Sequence, residues 1–545
     1  VSQGGTGWLL AVTVIVPLAS AVIVAALGRI ERALRTVAVL YALVMAALGT
    51  ATLNRFLVQG HRLAWGSLAA GAFNLPFFFM LAMVSAAAAL YTALRRPRTA
   101  GPWTVAALMA ASGLGELALL AGGLLSYVLL WEGVTAAALA GLAAQGRAGL
   151  SGRIRAFLPW LAADLLLVFG AVLEKVWLRE SAVLIRPPLT SGTETQVVVV
   201  MVLFLLSALV RLGIFPFHFW QRDLISRADP SWSALFMGGV NPLLAGARVI
   251  LVSVMVARLV AADWSLALAL IGLVSIAVGA AIALGADKIT EYLAGLIAFQ
   301  GGFLLAGAGL FTRSGIDGAL FCALVAPLFT TAAIMAAGMT VELTGSHELG
   351  RRVLPARTAP AALGVLLLAG ISFAGLPPTD GFVGKAYVVL SGIDRGMASH
   401  VYTLTAAIQL AAVAVAAAAV VKMIGGLFSF EPAAAIPGKP LALEAAAPIG
   451  LCGASFLIGV FPGVLLRNFI RSASRLLYPA GFSGPGVNFQ ATGTSVDRAL
   501  SHYLSWSETA AAFLVAVAVL ALVLYFANRR LRGSAPLAES EEKKA

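Results

Sequence analysis

The sequence predicts an all-α polytopic membrane protein of about 14–15 transmembrane helices, with two inverted five-helix repeats and broken seventh and twelfth helices. Three observations carry this. Hydrophobic residues make up 60% of the 545-residue chain and charged residues 11%, against roughly 25% charged in a soluble domain. About fifteen apolar runs approach or exceed the roughly 20 residues a helix needs to cross a bilayer core. Two runs, five apart in order, are interrupted by proline motifs.

The runs lie near 8–28, 36–56, 72–94, 103–121, 123–143, 154–178, 196–220, 232–260, 265–286, 290–311, 315–341, 356–391, 401–428, 441–464 and 508–528. The first is too long, and too continuous with the rest, to be a cleaved signal peptide. The seventh runs into Phe215-Pro216-Phe217-His218-Phe219-Trp220, and the twelfth contains Gly375-Leu376-Pro377-Pro378-Thr379-Asp380-Gly381. Proline removes a backbone donor. Broken helices inside a membrane persist where protein or a water-filled cavity satisfies the freed groups. Spans four to eight and nine to thirteen then form two repeats of odd helix number, which makes them inverted. Such repeats, with discontinuous helices meeting near the midplane, are a transporter architecture. The chain divides into N-terminal helices (1–102), a first repeat (103–260), a second repeat (261–428), C-terminal helices with an extramembrane loop (429–530) and a polar tail (531–545).

A net charge of +13 is too dilute for a nucleic-acid binder, and the cations mark topology instead. Arg29, Arg32 and Arg35 follow the first span; Arg95, Arg96 and Arg98 the third; Arg147, Arg153 and Arg155 the fifth; Arg351, Arg352 and Arg357 the eleventh. With Arg529, Arg530, Arg532, Lys543 and Lys544 at the C-terminus, they put the N-terminus outside and the C-terminus in the cytoplasm of a bacterial inner membrane. Two cysteines, Cys322 and Cys452, sit in apolar runs. That excludes a disulfide framework, a cysteine zinc site and an iron–sulfur cluster. No phosphate loop, nucleotide fingerprint or metal-spaced cluster is present. The chain is expected to hold no cofactor, and redox chemistry falls to a partner.

A charge inside a spanning helix costs at least about 2.5 kcal/mol, so each one needs a reason. Glu132 lies mid-span in Leu130-Trp131-Glu132-Gly133. It reads as a tunable proton site or as a carboxylate pairing two helices. Lys385 follows the twelfth-span break; it suits proton relay or snorkels to an interface. Arg211 lies just before the seventh-span break, and arginine serves as a fixed counter-charge rather than a carrier. Asp164 and Lys422 lie near the middle of apolar runs and join the proton path. Glu116 and Arg248 fit a structural ion pair as well as transport. His218, inside the break, is a structural residue or a relay, and His61, His347, His400 and His502 read as loop or interface residues.

At these residues the chain resembles the antiporter-like membrane subunits of respiratory complex I, with counterparts in energy-converting hydrogenases and multi-subunit Na⁺/H⁺ antiporters. The resemblance runs from about 8 to 464. It rests on Leu130-Trp131-Glu132, on Pro216-Phe217-His218-Phe219-Trp220 leading to Pro230 and Ser233-Ala234-Leu235, and on Ala374-Gly375-Leu376-Pro377-Pro378 with Gly381-Phe382 and Gly384-Lys385. It implies that Glu132 and Lys385 match the family's fifth-helix glutamate and twelfth-helix lysine on a central proton path. The family usually has lysine where this chain has Arg211, and histidine where it has Met237. It has histidine and lysine before the eleventh-helix Ala-Gly, where this chain offers Ala326 and Thr330 ahead of Ala337-Gly338. The chain's end soon after 508–528 fits a member without a long lateral helix.

The resulting expectation is a subunit that moves protons or Na⁺ through buried ionisable residues within an ion-translocating oxidoreductase complex. Glu132 would be the entry carboxylate, Arg211 its partner cation and Lys385 the onward relay. Its partners would be other membrane subunits, a peripheral redox module and the lipid bilayer, with no nucleic acid. Two alternatives stand beside it: a non-conducting scaffold, favoured by the missing His and Lys groups, and the membrane partner of an inorganic-carbon uptake complex.

Overall fold

The computed structural model describes residues 8–478 except 59–62, 66–67, 96–99, 147–148, 179–193, 260–261, 351–353, 356–358, 397–398 and 430–442, and beyond these only 483–484, 487–488, 496 and 500. The expected span at 508–528, most of the extramembrane loop expected before it, the tail, His61, His502, Arg96, Arg98, Arg147, Arg351, Arg352, Arg357 and the C-terminal cations lie outside the described residues. Val1–Val496 form one compact unit and Asp497–Ala545 a second; every element below belongs to the first.

The chain is all-helical. It runs α1 (Trp8–Leu27), α2 (Glu31–Val58), α3 (Asn74–Leu94), α4 (Pro102–Leu120), α5 (Leu124–Ala143), α6 (Leu150–Leu173), α7 (Glu194–Leu212), α8 (Phe219–Arg227), α9 (Pro230–Ser233) and α10 (Asn241–Leu259). It continues through α11 (Ala262–Gly285), α12 (Ile289–Gly309), α13 (Arg313–Thr344), α14 (Pro360–Ala374), α15 (Asp380–Gly396), α16 (His400–Leu427), α17 (Ala446–Val460), α18 (Pro462–Leu465) and α19 (Arg471–Leu477). Single π-helical turns follow α6 (Glu174–Leu178), join α9 to α10 (Ala234–Val240) and follow α18 (Leu466–Ile470). Short strand pairs decorate the loops, such as Leu63–Trp65 antiparallel to Leu68–Ala70.

Among the described residues twelve helical spans are long and apolar enough to cross a membrane, thirteen if one bent pair counts as a span. The expected fourteenth span is that pair: Ala446–Val460 and Pro462–Leu477 meet at 83°, because Pro462 cannot continue the helix above it. The expected single twelfth run is two helices, α14 and α15, separated by the proline motif. The seventh likewise stops at Leu212 and resumes as α8. Both stops are built alike. Gly213 and Gly375 take left-handed φ values of 65° and 75°, as helix ends require. Their neighbours Ile214 and Leu376 return hydrogen bonds to Leu209 and Ile371. Both breaks also contain a cis X-Pro bond, Phe215-Pro216 and Pro377-Pro378.

The core runs along α12 and α13, whose spanning windows are wholly buried. Thr312 caps α13, its Oγ1 accepting from the Gly315 N–H at 3.0 Å, and left-handed Gly345 ends it. Asp229 caps α9 from the side chain to the Ser231 N–H at 2.9 Å, with Pro230 at the first helical position. Asp229 also receives Arg95 Nη1 at 2.8 Å, and Arg95 bonds Glu342 as well. The buried Arg95 guanidinium therefore ties the ends of α3 and α13 to the start of α9 on one face of the protein.

Candidate functional site

The site is assembled from both broken helices. Arg211, two residues before Gly213, is 1% exposed and sits at the end of α7. Its Nε donates to Asp164 Oδ1 on α6 at 3.1 Å, its Nη1 to Asn241 Oδ1 on α10 at 3.3 Å, and its Nη2 to Asp164 and to Thr135 Oγ1 on α5. Trp131 Nε1 donates to the same Asp164 oxygen at 2.9 Å. The guanidinium lies 4.7 Å from the Trp160 ring centre and 5.3 Å from that of Trp131. A charge so deeply buried is tolerable only when paired and hydrogen-bonded, and α5, α6 and α10 supply the partners.

This geometry corrects the expected partner of Arg211. The arginine is bound to Asp164, not to Glu132. Glu132 is half-buried one residue from Trp131, and its buried Oε1 has no protein hydrogen-bond partner. It remains within electrostatic reach of both Asp164 and Arg211. The reason is helical phase. Glu132 is a third of a turn round α5 from Trp131, and it is Trp131 that faces α6.

The second broken helix places Lys385 as the mirror of this arrangement. Lys385, 2% exposed, donates from Nζ to Gln300 Oε1 on α12 at 2.6 Å and to the Gly381 carbonyl at 3.3 Å. The rings of Phe299 and Phe303 lie 5.6 and 5.4 Å from its ammonium. Gly375 permits this position, since a Cβ there would lie 2.6 Å from Lys385 Cδ. Asp380, fully buried at the start of α15, accepts from the Gly381 N–H at 2.7 Å and faces Ser372 and Ser455.

Between the two halves lies one cavity. Arg211, Gln221 and Asn241 line it together with Gln300 and Cys322. About 30 Å³ is open to the centres of water molecules, and roughly 10–15 Å³ holds one water. Met237, Ala326 and Thr330 all line it. With Arg211 itself, all four places where the chain departs from the resembled pattern therefore line this cavity.

The other expected path residues lie apart. Lys422 is exposed, and its Nζ donates to the carbonyls of Leu284 and Ala286 at 2.8 and 3.0 Å. It closes the C-terminal end of α11, as cations commonly do, rather than joining the buried chain of charges. His218 is half-buried in the first break and stacks on Phe215 with ring centres 5.6 Å apart. Glu116 and Arg248 do not pair. Glu116 is fully buried on α4 with neither oxygen hydrogen-bonded, and Arg248 is enclosed by aromatic rings on α10.

Gln300 and Asp380 were not singled out by sequence. Gln300 is neutral, but it is a long polar side chain in the apolar run Ile297–Gly302. Asp380 was visible only as part of the break, although an acid opening a resumed helix in the membrane is itself a signal. Among the described residues no three His, Cys, Asp or Glu side chains are grouped so as to hold a metal ion.

Residues 121–413, more than half of the chain, match the family described as NADH:quinone oxidoreductase/Mrp antiporter, TM. The chain is 26% identical over 278 residues to NADH-quinone oxidoreductase subunit N of Desulforamulus reducens, covering 50% of this chain and 56% of that one. It is 30% identical over 305 residues to subunit N of Polaromonas naphthalenivorans, covering 52% and 59%. The chain thus spans a little over half the length of these curated relatives. In fold it is similar to a chain of the Mrp complex from Dietzia sp. DQ12-45-1b, with TM-score 0.75, 20% identity and coverage of 97% and 57%. It is also similar to a chain of the membrane-bound sulfane sulfur reductase, an archaeal respiratory membrane complex, with TM-score 0.73, 18% identity and coverage of 87% and 98%. A chain of respiratory complex I from Thermus thermophilus matches at TM-score 0.71, 21% identity and coverage of 86% and 99%.

Proposed function

Because this chain belongs to the NADH:quinone oxidoreductase/Mrp antiporter transmembrane family, we propose that it moves protons across the bilayer as one subunit of a multi-subunit membrane complex. The observation that carries the reading is the pair of buried cations, Arg211 and Lys385, each at a helix break: Arg211 lines the cavity, and Lys385 holds Gln300, which lines it too. The similar folds are those of chains in multi-subunit complexes, and the two breaks fit two inverted five-helix repeats.

In this reading Glu132 loads a proton from a hydrated approach. Its unpartnered oxygen leaves it free to do so, and the charges on Asp164 and Arg211 set how firmly the proton is held. Arginine keeps its proton, so Arg211 acts as a fixed charge, and its bond to Asp164 is the movable element. When Asp164 releases Arg211, the local field changes and the transfer is gated. Water in the cavity carries the proton past Met237 and Ala326 to the Gln300–Lys385 pair, and Asp380 is the acid beyond it. From the distribution of arginine in the sequence between the spans, we place the end of α3 that carries Arg95 on the cytoplasmic side. In this reading the energy comes from a redox partner.

One observation favours a second reading, a non-conducting scaffold: much of the cavity wall, including Ile297, Leu304, Met237 and Ala326, is apolar. Proton uptake by vesicles containing the purified complex decides between them. Glu132→Gln and Lys385→Met should each abolish uptake while the complex still assembles. Transport equal to the parent in both variants leaves the scaffold.

A further inference from the structure

Two buried charges on the side of the first repeat away from the cavity have no place in that path, and they are aligned with it. Glu174 closes α6, ten residues beyond Asp164, and Arg248 lies seven residues beyond Asn241 on α10. Ten residues are about 15 Å of helix and nearly three full turns, and seven are about 10 Å and nearly two. Glu174 lies about 80° round the helix from Asp164, on the buried side that Leu167 and Gly170 continue, and Arg248 lies on the same face of α10 as Asn241. Both faces start at Arg211, which holds Asp164 and Asn241 together.

Arg248 is 2% exposed, and none of its three nitrogens has a hydrogen-bond partner. It is held instead by rings: Tyr127 at 4.1 Å, Phe204 at 5.2 Å and Trp131 at 5.4 Å. Trp131 is the indole that also lies against Arg211 and donates to Asp164. Glu174 is 3% exposed and within electrostatic reach of Arg248, without an ion pair between them. The residues after it, Lys175 to Trp177, are exposed, so Glu174 is the last inward-facing group of its helix. It opens a π-helical turn, a local irregularity frequent at functional sites. The Tyr127 hydroxyl is buried beside Arg248 and also lacks a partner.

Resting on the transport reading above, we propose that the end of the first repeat where α6 and α10 finish is a second proton-access route, with Glu174 as its loading carboxyl and Arg248 as a fixed cation between Glu174 and Asp164. Glu174 takes a proton from water at that surface and gives it to a water on the inner side, or to the Tyr127 oxygen as that hydroxyl passes its own proton to the next water. Arg248 keeps its own proton. Its uncommitted donors hold the Glu174 carboxylate or the relaying water, and its charge stops a hydrated cation from passing. The aromatic cage keeps the guanidinium in place without occupying those donors.

The test uses the whole purified complex in vesicles, with Glu174→Gln, Glu174→Asp, Arg248→Lys and Lys385→Met compared for proton uptake. A carbodiimide, which modifies protonated carboxyls in apolar surroundings, is the second readout, followed by mass spectrometry of the Glu174 peptide. Glu174→Gln should lower uptake by roughly 100-fold, the scale of one lost acid–base group, and Glu174→Asp should restore much of it. Arg248→Lys, which keeps the charge but loses the planar fork, should give intermediate uptake. Carbodiimide should modify Glu174 in the parent. Parental uptake in Glu174→Gln beside an inactive Lys385→Met overturns the route and leaves the transport reading standing. A Glu174 carboxyl that stays unmodified also overturns it. Parental uptake in Lys385→Met is instead a failure of the transport reading, and the carbodiimide result still decides whether Glu174 exchanges protons.

Discussion

Arg211 and Asp164, 47 residues apart on α7 and α6, form a buried charge pair beside the first helix break, the arginine Nε lying 3.1 Å from the aspartate Oδ1. Neither group faces water: their side chains are 1% and 5% exposed. A buried pair contributes little net stability against an apolar replacement, but breaking one partner leaves an uncompensated charge. The pair therefore couples the stability of the first break to its chemistry.

That coupling is measurable. Asp164→Asn should abolish proton uptake and lower the thermal stability of the solubilised complex, the scale being about 3–5 kcal/mol for an orphaned buried charge. Adding Arg211→Gln should recover most of the stability without recovering uptake. Equal stability in the single and double variants would show that Asp164 does not hold Arg211.

The sequence made the polytopic architecture and both breaks legible, because apolar run length and proline leave few alternatives. It also singled out Glu132 and Lys385 as charges that apolar surroundings must justify. Pairing was not legible. Glu132 and Asp164 are equally acidic on paper, and only the phase of α5 and α6 decides which one meets Arg211. Lys422 misled for the same reason: its position along α16 suggested the bilayer interior, while its face points to the carbonyl end of α11. Gln300 carries no charge, so a search for buried ions passes over it.

Lys422 thus provides a negative control. Lys422→Met should leave proton uptake at the parental rate and cost only about 0.3–1 kcal/mol, the usual value of a cation at a helix end. Uptake in vesicles and the melting temperature of the complex check the two halves of this statement.

A pH effect should appear at the α12–α13 junction, away from the bilayer. His347 is half-buried just after α13, and its carbonyl accepts from the Ile289 N–H at 2.9 Å. Burial, and then the nearby Lys288 charge, hold its imidazole below the ordinary histidine value of 6.5. The folded junction therefore binds fewer protons than the opened one, and its stability rises with pH. The contribution is intact above about 6.5 and is lost as pH falls through the window beneath it. Hydrogen exchange at residues 287–289 and 346–350 should accelerate on acidification over that window, and His347→Gln should flatten the response.

Gly375 should be as sensitive as the charges it sits among. Its φ of 75° is unfavourable by about 1–2 kcal/mol for a residue bearing a Cβ, and that Cβ would meet Lys385 Cδ at 2.6 Å. Gly375→Ala should lower both stability and uptake. If Lys385 is simply displaced, Gly364→Ala, at a position open to a Cβ on the same helix, should do neither.

The cavity supplies the sharpest prediction, because its wall is where the chain departs from the pattern it otherwise follows. Water is the proposed proton carrier between Arg211 and Gln300, since Met237 and Ala326 cannot titrate. Ala326 is on the cavity wall, and Ala326→Leu puts three more carbons into about 30 Å³ of water-accessible space. Filling a void costs little stability when the volume suits, and overpacking costs roughly 1–3 kcal/mol. The complex should therefore assemble and melt within a few degrees of the parent, while proton uptake falls sharply because the water is displaced. Thr330→Ser keeps the wall hydroxyl and adds no volume, so it should transport normally. Undiminished uptake in Ala326→Leu would mean that protons do not cross here, and that Arg211 and Lys385 serve separate routes.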